Sequence, residues 1–433
     1  MLRATSKAFR LHIGFFGRRN VGKSSLLNAV TRQYVSIVSE VAGTTTDPVE
    51  KPMELLPIGP VLFVDTAGVD DVGALGAQRI EKTRLAISSS DIGVLVTEAG
   101  GWGEFEERLL AELRSHGIPV LVVLNKSDLR NDTAELAARF AREKLPWLEV
   151  SAATGEGVDA FREKLWELAP AEATESPVVI RDLVGPGETA VLVVPIDKEA
   201  PKGRILQVQA QTIRDLLDGE ATCIAVQDGG LERVLDNLKN PPRIVVTDAQ
   251  AFEQVARVTP DSIPLTAFSI LMSRLKGDLV AQAKAALTVD SLRPGDKVLV
   301  AESCTHHPIE EDIGRVKIPR WLRKCVGGDL HFTHVKGRDF PKDLSPYKLV
   351  IHCGACMWNR QEMVSRIREC QRQGVPITNY GIVIAYALGI LERALEPFPE
   401  AMAAYHQVRN EQQKQLFANA LANREVPVPA HVN

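Results

Sequence analysis

The chain has 433 residues, 45% of them hydrophobic and 24% charged, with a formal net charge of -4. This size fits two to four globular domains, and the mild acidity argues against a phosphate-neutralising footprint, so nucleic acid is not an expected partner. The opening MLRATSKAFR is basic but runs into no apolar stretch with a cleavage site, and apolar runs such as Gly381–Ile390 are too short for a bilayer. The expectation is no signal peptide, no membrane partner and a cytoplasmic location.

From Leu11 to about Ala169, short apolar runs alternate with amphipathic stretches. Strands are predicted at Leu11–Phe16, Val61–Asp65, Asp91–Thr97, Pro119–Asn125 and Trp147–Ser151, with helices at Lys23–Arg32 and Glu104–His116. That alternation predicts an α/β fold with a mostly parallel sheet covered on both faces. Within it, Gly17-Arg18-Arg19-Asn20-Val21-Gly22-Lys23-Ser24, followed by Ser25, fits the phosphate-binding loop G-x-x-x-x-G-K-S between a strand and a helix. Its backbone N–H groups and the helix N-terminus favour phosphate. Lys23 would reach the β- and γ-phosphates, and Ser24 would ligate Mg²⁺.

Asn125-Lys126-Ser127-Asp128 follows another strand. The Asp128 carboxylate can accept both N1–H and N2–H₂ of guanine, a donor pair that adenine lacks. Asp65-Thr66-Ala67-Gly68 ends a third strand, placing Asp65 for the Mg²⁺ shell and the Gly68 N–H for the γ-phosphate. Ser151 and Ala152 sit where a backbone contact to guanine O6 is expected, and Gly43-Thr44-Thr45-Thr46-Asp47 occupies the switch position. Five motifs in this order resemble the translation-factor-related G proteins, particularly the Era-like and tRNA-modification branch. That resemblance favours Thr45 as the second Mg²⁺ ligand, and it likens Asn20 to the asparagine of potassium-activated members. Val69 stands where a water-positioning glutamine could be, so GTP hydrolysis should be slow unless K⁺ assists.

A Pro/Ala/Glu/Ser-rich stretch over 169–177 reads as a linker. A second α/β segment, 178–271, carries no nucleotide signature and reads as a scaffold or oligomerisation module. The third segment, 272–433, has predicted strands at Lys297–Ala301, Lys348–His352 and Val375–Thr378.

Five of the six cysteines lie in that third segment, and none is expected in a disulfide. Cys304-Thr305-His306 and His352-Cys353-Gly354-Ala355-Cys356 each follow a strand, where ligands bind in open α/β sheets. Three cysteines and two histidines suit zinc or an iron–sulfur cluster, and the residues alone leave both open. His352, His306, Glu310 or an exogenous group could complete a cluster held by Cys304, Cys353 and Cys356. Cys325 lies among Arg320, Arg323 and Lys324, a setting that can lower a thiol's pKa, but for it, as for Cys370 and Cys223, an ordinary structural cysteine is the expectation.

A G domain, a small middle domain and C-x-H paired with H-C-x-x-C together resemble the HydF family, the maturation GTPases of [FeFe]-hydrogenase. The resemblance covers essentially the whole chain. It implies a GTPase and scaffold with three domains: a G domain over 1–170, a dimerisation domain over 178–271 and a cluster-binding domain over 272–433. It further implies a [4Fe-4S] cluster on Cys304, Cys353 and Cys356, a two-iron precursor as cargo, and homodimerisation. The implied partners are two radical-SAM maturases and the apo-hydrogenase. The competing expectation is an RNA-linked GTPase, in tRNA modification or ribosome assembly, with structural zinc.

Overall fold

The computed structural model describes residues 7–31, 48–66, 74–129, 132–170, 178–196, 205–303 and 312–422, without the side chains of 74–80 and 416–422. The chain forms two compact units: residues 1–177 with 357–365, and residues 178–356 with 366–433. No helix among the described residues is long and apolar enough to cross a membrane.

The first unit is built on a six-stranded sheet, numbered in chain order: β1 (Leu11–Phe16), β2 (Val49–Leu55), β3 (Gly59–Asp65), β4 (Ile92–Glu98), β5 (Val120–Asn125) and β6 (Trp147–Val150). Its spatial order is β2-β3-β1-β4-β5-β6, and only β2 runs antiparallel to its neighbour. Every residue of β1 and of β5 is buried, because helices cover both faces of the sheet. Successive side chains of a strand point to opposite faces. Phe15 therefore packs with Phe63 and Phe161 in one core, while Phe16 packs with Leu95 and Leu113 in the other.

The antiparallel edge strand β2, Val-Glu-Lys-Pro-Met-Glu-Leu, is absent from the strands predicted above. Its alternating exposure and Pro52 mark it as an edge, where a missing N–H is tolerated. The other five strands fall where the sequence places them, within two residues at either end.

The second unit holds two four-stranded sheets, parallel throughout. One is ordered β10-β9-β7-β8, from β7 (Thr189–Val193), β8 (Thr222–Val226), β9 (Ile244–Thr247) and β10 (Leu265–Ala267). The other is ordered β12-β11-β13-β14, from β11 (Lys297–Glu302), β12 (His331–Lys336), β13 (Leu349–His352) and β14 (Ile377–Asn379). The first of these sheets packs in a core where Val191, Val245 and Phe268 meet Ile382, Leu395 and Tyr405 of later helices, and the second has a core of its own around Val298, Leu349 and Ile351. The helix Phe268–Lys276 carries the chain across residue 271, so the boundary drawn there from sequence falls inside a helix. Six of its nine residues are buried, and Phe268, Ile270, Leu271 and Met272 lie in the core of the β7–β10 sheet, so the residues around 271 show no polar break.

Candidate functional site

Two groups of residues gather at the carboxyl ends of parallel strands, one in each unit.

In the first unit, β1 ends in the phosphate-binding loop and the helix Lys23–Thr31 follows it. Gly17 and Gly22 have φ of 143° and 90°, a region open to glycine. A Cβ on Gly17 would lie 2.1 Å from the Val96 carbonyl oxygen, and one on Gly22 2.1 Å from the Asn125 Nδ2. The loop is therefore wrapped against β4 and β5 with no space for a side chain at either position. Asn20 turns the loop with φ of 59° and is exposed.

Lys23 is 7% exposed, and its Nζ donates to the carbonyls of Gly17 at 3.0 Å and Arg18 at 2.6 Å. Its ammonium is thus folded back over the loop. The Ser24 hydroxyl donates to Asp65 Oδ2 at 2.5 Å, bringing together two hard oxygen donors of the kind Mg²⁺ prefers. Arg18 forms a two-pronged ion pair with Glu106, fully buried, at 2.8 and 3.1 Å.

Asn125 ends β5 and binds in two directions. Its Nδ2 donates to the Val21 carbonyl at 2.8 Å, and its Oδ1 accepts from the Ala152 N–H at 3.1 Å. Asp128 is exposed, and its Oδ1 accepts from the Ser151 hydroxyl at 2.6 Å. Lys126, at φ of 63°, pairs with Glu98 at 2.5 Å. Glu98 is not among the residues singled out from sequence. It sits at the end of β4, and its pairing with β5 puts it directly opposite Asn125. The predicted contacts Thr45 and Gly68, and also Val69, lie outside the described residues.

In the second unit, β11 and β13 are adjacent, with Ala301 opposite His352. The Cys353 N–H extends that ladder, donating to the Ala301 carbonyl at 2.9 Å. Cys353 Sγ receives the Ser303 N–H at 3.1 Å and lies 3.1 Å from the Ser303 hydroxyl. Burial pushes the Cys353 thiol up, while the contacts to Ser303 and the Ala355 backbone hold it down. Donors aimed at a sulfur favour the thiolate that a metal needs. The loop turns at Ala355 with φ of 49°, and Cys356 lies close enough to raise Cys353 further. This thiol pair fits a soft-metal or iron–sulfur centre. Cys304, His306 and Glu310 lie outside the described residues, among which no three His, Cys, Asp or Glu side chains converge on one metal position.

His352 is fully buried and already engaged at both ring nitrogens. Arg366 lies 2.9 Å from Nε2, and Nδ1 is 2.8 Å from the Cys353 carbonyl. A guanidinium can only donate, so Nε2 must accept and Nδ1 must carry the proton. Burial and the nearby Arg366 bring the His352 pKa down to about 3, so the ring is neutral. In this arrangement neither nitrogen is open to a metal. Arg366 also donates to the Gly337 carbonyl at 2.6 Å and lies over the Phe340 ring. Burial likewise lifts the Tyr380 hydroxyl well above its ordinary range, and that hydroxyl is 3.4 Å from Glu302.

The basic neighbours of Cys325 do not activate its thiol. Partial burial of the thiol and the charge of Asp290 push it up, outweighing the opposing effect of Lys324.

Three family models match successive parts of the chain. Residues 12–126 match a model described as 50S ribosome-binding GTPase. Residues 179–277 match the hydrogen maturase F dimerization domain, and residues 280–397 the hydrogen maturase F tetramerization domain. The chain belongs to the hydrogen maturase F family. Its amino-terminal part is a GTPase domain, and its two remaining parts are domains of this family named for self-association.

Among curated proteins, GTPase Der of Wolinella succinogenes is 36% identical over 165 residues, covering 36% of this chain and 35% of that protein. GTPase Der of Campylobacter lari is 38% identical over 170 residues, covering 36% of each. The chain thus spans only about a third of the length of these relatives. The solved structure of Aquifex aeolicus Era aligns at a TM-score of 0.35 and 20% identity, over 50% of this chain and 94% of that one.

Proposed function

We propose that this hydrogen maturase F chain hydrolyses GTP and serves as a scaffold that carries the two-iron precursor of the [FeFe]-hydrogenase active site. The observation that carries the reading is a paired thiol loop at the end of β13, within the segment matched by the tetramerization model, in a chain that also holds a complete strand–loop–helix phosphate site. The working division is a G domain over 1–170, a dimerisation domain over 178–271 extended to the end of its helix at Lys276, and a cluster-binding domain beyond.

In the nucleotide site, Gly17 to Ser25 cradle the phosphates and Lys23 neutralises them on leaving its two carbonyls. Ser24, Asp65 and Thr45 hold Mg²⁺, and the Gly68 N–H meets the γ-phosphate. Asn125 and Lys126 shape the base pocket, Asp128 selects guanine, and the backbone at Ser151 and Ala152 meets guanine O6. Asn20 takes K⁺.

In the thiol site, Cys353, Cys356 and Cys304 hold a [4Fe-4S] cluster. Bound there, the cluster supplies a redox-active iron centre with one iron not held by cysteine. Because both nitrogens of His352 are engaged, that position falls to His306, Glu310 or an exogenous group. The chain associates with itself, receives its cargo through radical-SAM maturases and delivers it to the apo-hydrogenase. The GTP state biases partner exchange by a coupling free energy of about 1–3 kcal/mol.

The test is anaerobic reconstitution of the full chain with iron and sulfide. Metal analysis, EPR of the reduced protein and activation of apo-hydrogenase follow. Iron and sulfide in equal amounts, a cubane signal, and loss of both cluster and activation in Cys353→Ser are expected. Zinc alone, with no cubane signal after reconstitution, would overturn the scaffold reading in favour of an RNA-linked GTPase with structural zinc.

A further inference from the structure

The stretch from Glu98 to Glu106 runs from the end of β4 into the helix Glu104–Ser115 and contains none of the nucleotide motifs. Its first and last residues nevertheless hold one residue from each half of the nucleotide site. Glu98 pairs with Lys126 of the base-binding segment at 2.5 Å, and Glu106 pairs with Arg18 of the phosphate loop at 2.8 and 3.1 Å.

Glu106 makes the firmer grip. Its carboxylate is fully buried and both oxygens are engaged, Oε1 by Arg18 Nε, and Oε2 by Arg18 Nη2 and by the Gly103 N–H at 3.0 Å. A buried carboxylate is costly unless a cation and hydrogen bonds compensate it, and the arginine fork supplies both. The Arg18 side chain is 39% exposed, so water can solvate it, and the constraint runs from the helix to the loop. The Phe105 ring lies against the guanidinium, with its centroid 5.1 Å away. The stretch is itself anchored, because Trp102 packs edge-on to buried Phe140 with 4.8 Å between ring centroids.

The phosphate loop needs such an anchor. Gly17, Asn20 and Gly22 all have positive φ, a combination that a free chain rarely holds. Asn125 fastens the loop at Val21, and Arg18 is the fastening near its start. The Arg18 carbonyl also accepts from Lys23 Nζ at 2.6 Å. The residue gripped by Glu106 through its side chain thus presents one of the carbonyls on which the Lys23 ammonium rests.

We propose that Glu106 is a positioning residue for GTP: acting through Arg18, it holds the phosphate loop in the shape that receives the triphosphate, while Glu98, acting through Lys126, does the same for the base segment. The proposal rests on the nucleotide-site reading above. Its sign is opposite to that of simple electrostatics. Both residues are anions near an anionic ligand, so neutralising either would tighten binding if charge alone mattered. Loss of a brace weakens binding instead.

The experiment measures the affinity of the full chain, with Mg²⁺, for fluorescent GDP and a fluorescent non-hydrolysable GTP analogue. Wild type is compared with Glu106→Gln, Glu98→Gln, Arg18→Lys and the double variant Arg18→Lys/Glu106→Gln, each corrected for its folded fraction. Several-fold weaker binding is expected in every single variant. The double variant is expected to bind about as weakly as the weaker of its two singles, because both changes remove one contact, and fully additive losses would overturn the pairing. A merely structural role would lower the melting temperature and leave the affinity of the folded protein unchanged. Unchanged or tighter binding in Glu106→Gln overturns the role of Glu106, and the same result in Glu98→Gln overturns that of Glu98. Should Glu106→Gln fail to fold, Arg18→Lys decides, since it keeps the charge and loses the fork, and wild-type affinity there overturns the brace. A wild-type chain that binds neither nucleotide overturns the nucleotide-site reading, and this inference with it.

Discussion

Asn125 fastens the phosphate loop to the base-binding segment: its Nδ2 donates to the Val21 carbonyl at 2.8 Å, while its Oδ1 accepts from Ala152 at 3.1 Å. One amide thus spans three segments, and it is 3% exposed. Truncating it leaves a buried carbonyl and a buried N–H without this partner, a loss of about 1–3 kcal/mol. Asn125→Ala is expected to lower the melting temperature of the G domain and to weaken binding of a fluorescent GTP analogue. Asn125→Asp should be at least as damaging, because a carboxylate would then face the Val21 carbonyl. Wild-type stability in both variants would refute the account.

Much of this site is legible in sequence because the phosphate loop and the Asn125–Asp128 segment each follow a fully buried strand, and short apolar runs such as Val120–Asn125 announce themselves. The edge strands are harder. β2 carries Pro52 and an alternating pattern, and β12, His-Phe-Thr-His-Val-Lys, has no fully buried residue, so neither shows an apolar run. The cysteine loop is visible from its C-x-x-C spacing, but its buried cations are not. Lys276 and Arg366 read as ordinary charges on helices, and only the tertiary fold brings them to Ala355 and His352. The helix that runs across residue 271 is hidden for a related reason, since its apolar residues are buried in a core and give no polar punctuation there.

Asp128 carries the base-selectivity claim. Its carboxylate, exposed and fixed by Ser151 at 2.6 Å, can accept two guanine N–H groups. An asparagine offers one acceptor and a donor instead, so Asp128→Asn leaves one guanine donor facing another. A loss of about 2 kcal/mol or more in GTP affinity is expected, roughly thirtyfold, together with a gain for xanthosine triphosphate. Competition binding with both nucleotides checks it, and an unchanged preference would remove Asp128 from base recognition.

Asn20 bears on turnover. It projects from the phosphate loop at φ of 59°, exposed to solvent and ions. With Val69 unable to orient water, a K⁺ near the phosphates would supply the missing positive charge. GTP hydrolysis in K⁺ is expected to exceed that in Na⁺ about tenfold, equivalent to about 1.4 kcal/mol of barrier. Asn20→Ala should abolish the difference, and equal rates in the two salts for wild type would rule out the assignment.

Cys370 offers a pH-dependent probe of the fold. It is fully buried, and burial pushes its thiol up to about 12. At pH 8 only on the order of 1 in 10,000 such thiols is ionised, and the thiolate is the reactive form. Native alkylation with iodoacetamide should therefore spare Cys370 and mark the exposed Cys325. The thermodynamic sign follows from the raised pKa. The unfolded chain ionises first, so this group's contribution to stability is complete below about pH 9 and is lost as pH rises toward 12. Replacing Cys370 with alanine should flatten stability across that window, measured by urea unfolding. Rapid native labelling of Cys370 at pH 8 would contradict its burial.

Arg366 holds His352, the residue that leads into the cysteine loop. Its guanidinium reaches His352 Nε2 at 2.9 Å and the Gly337 carbonyl at 2.6 Å, with Phe340 against its face. Removing it strips donors from two acceptors, of which the imidazole is fully buried, and empties the space over the ring. Arg366→Ala is expected to cost about 3 kcal/mol, read as a fall in the melting temperature of the second unit. Lysine should restore little, because a point ammonium cannot reproduce a planar fork that serves two acceptors while stacking on an aromatic ring. The imidazole reports independently. With Arg366 in place, nitrogen NMR of metal-free, ¹⁵N-histidine-labelled protein should show His352 with its proton on Nδ1 and remaining neutral down to pH 5. In Arg366→Ala that fixed tautomer should give way to a mixture, because nothing then obliges Nε2 to accept. A single Nε2–H tautomer in the wild-type protein would be incompatible with the arginine as donor.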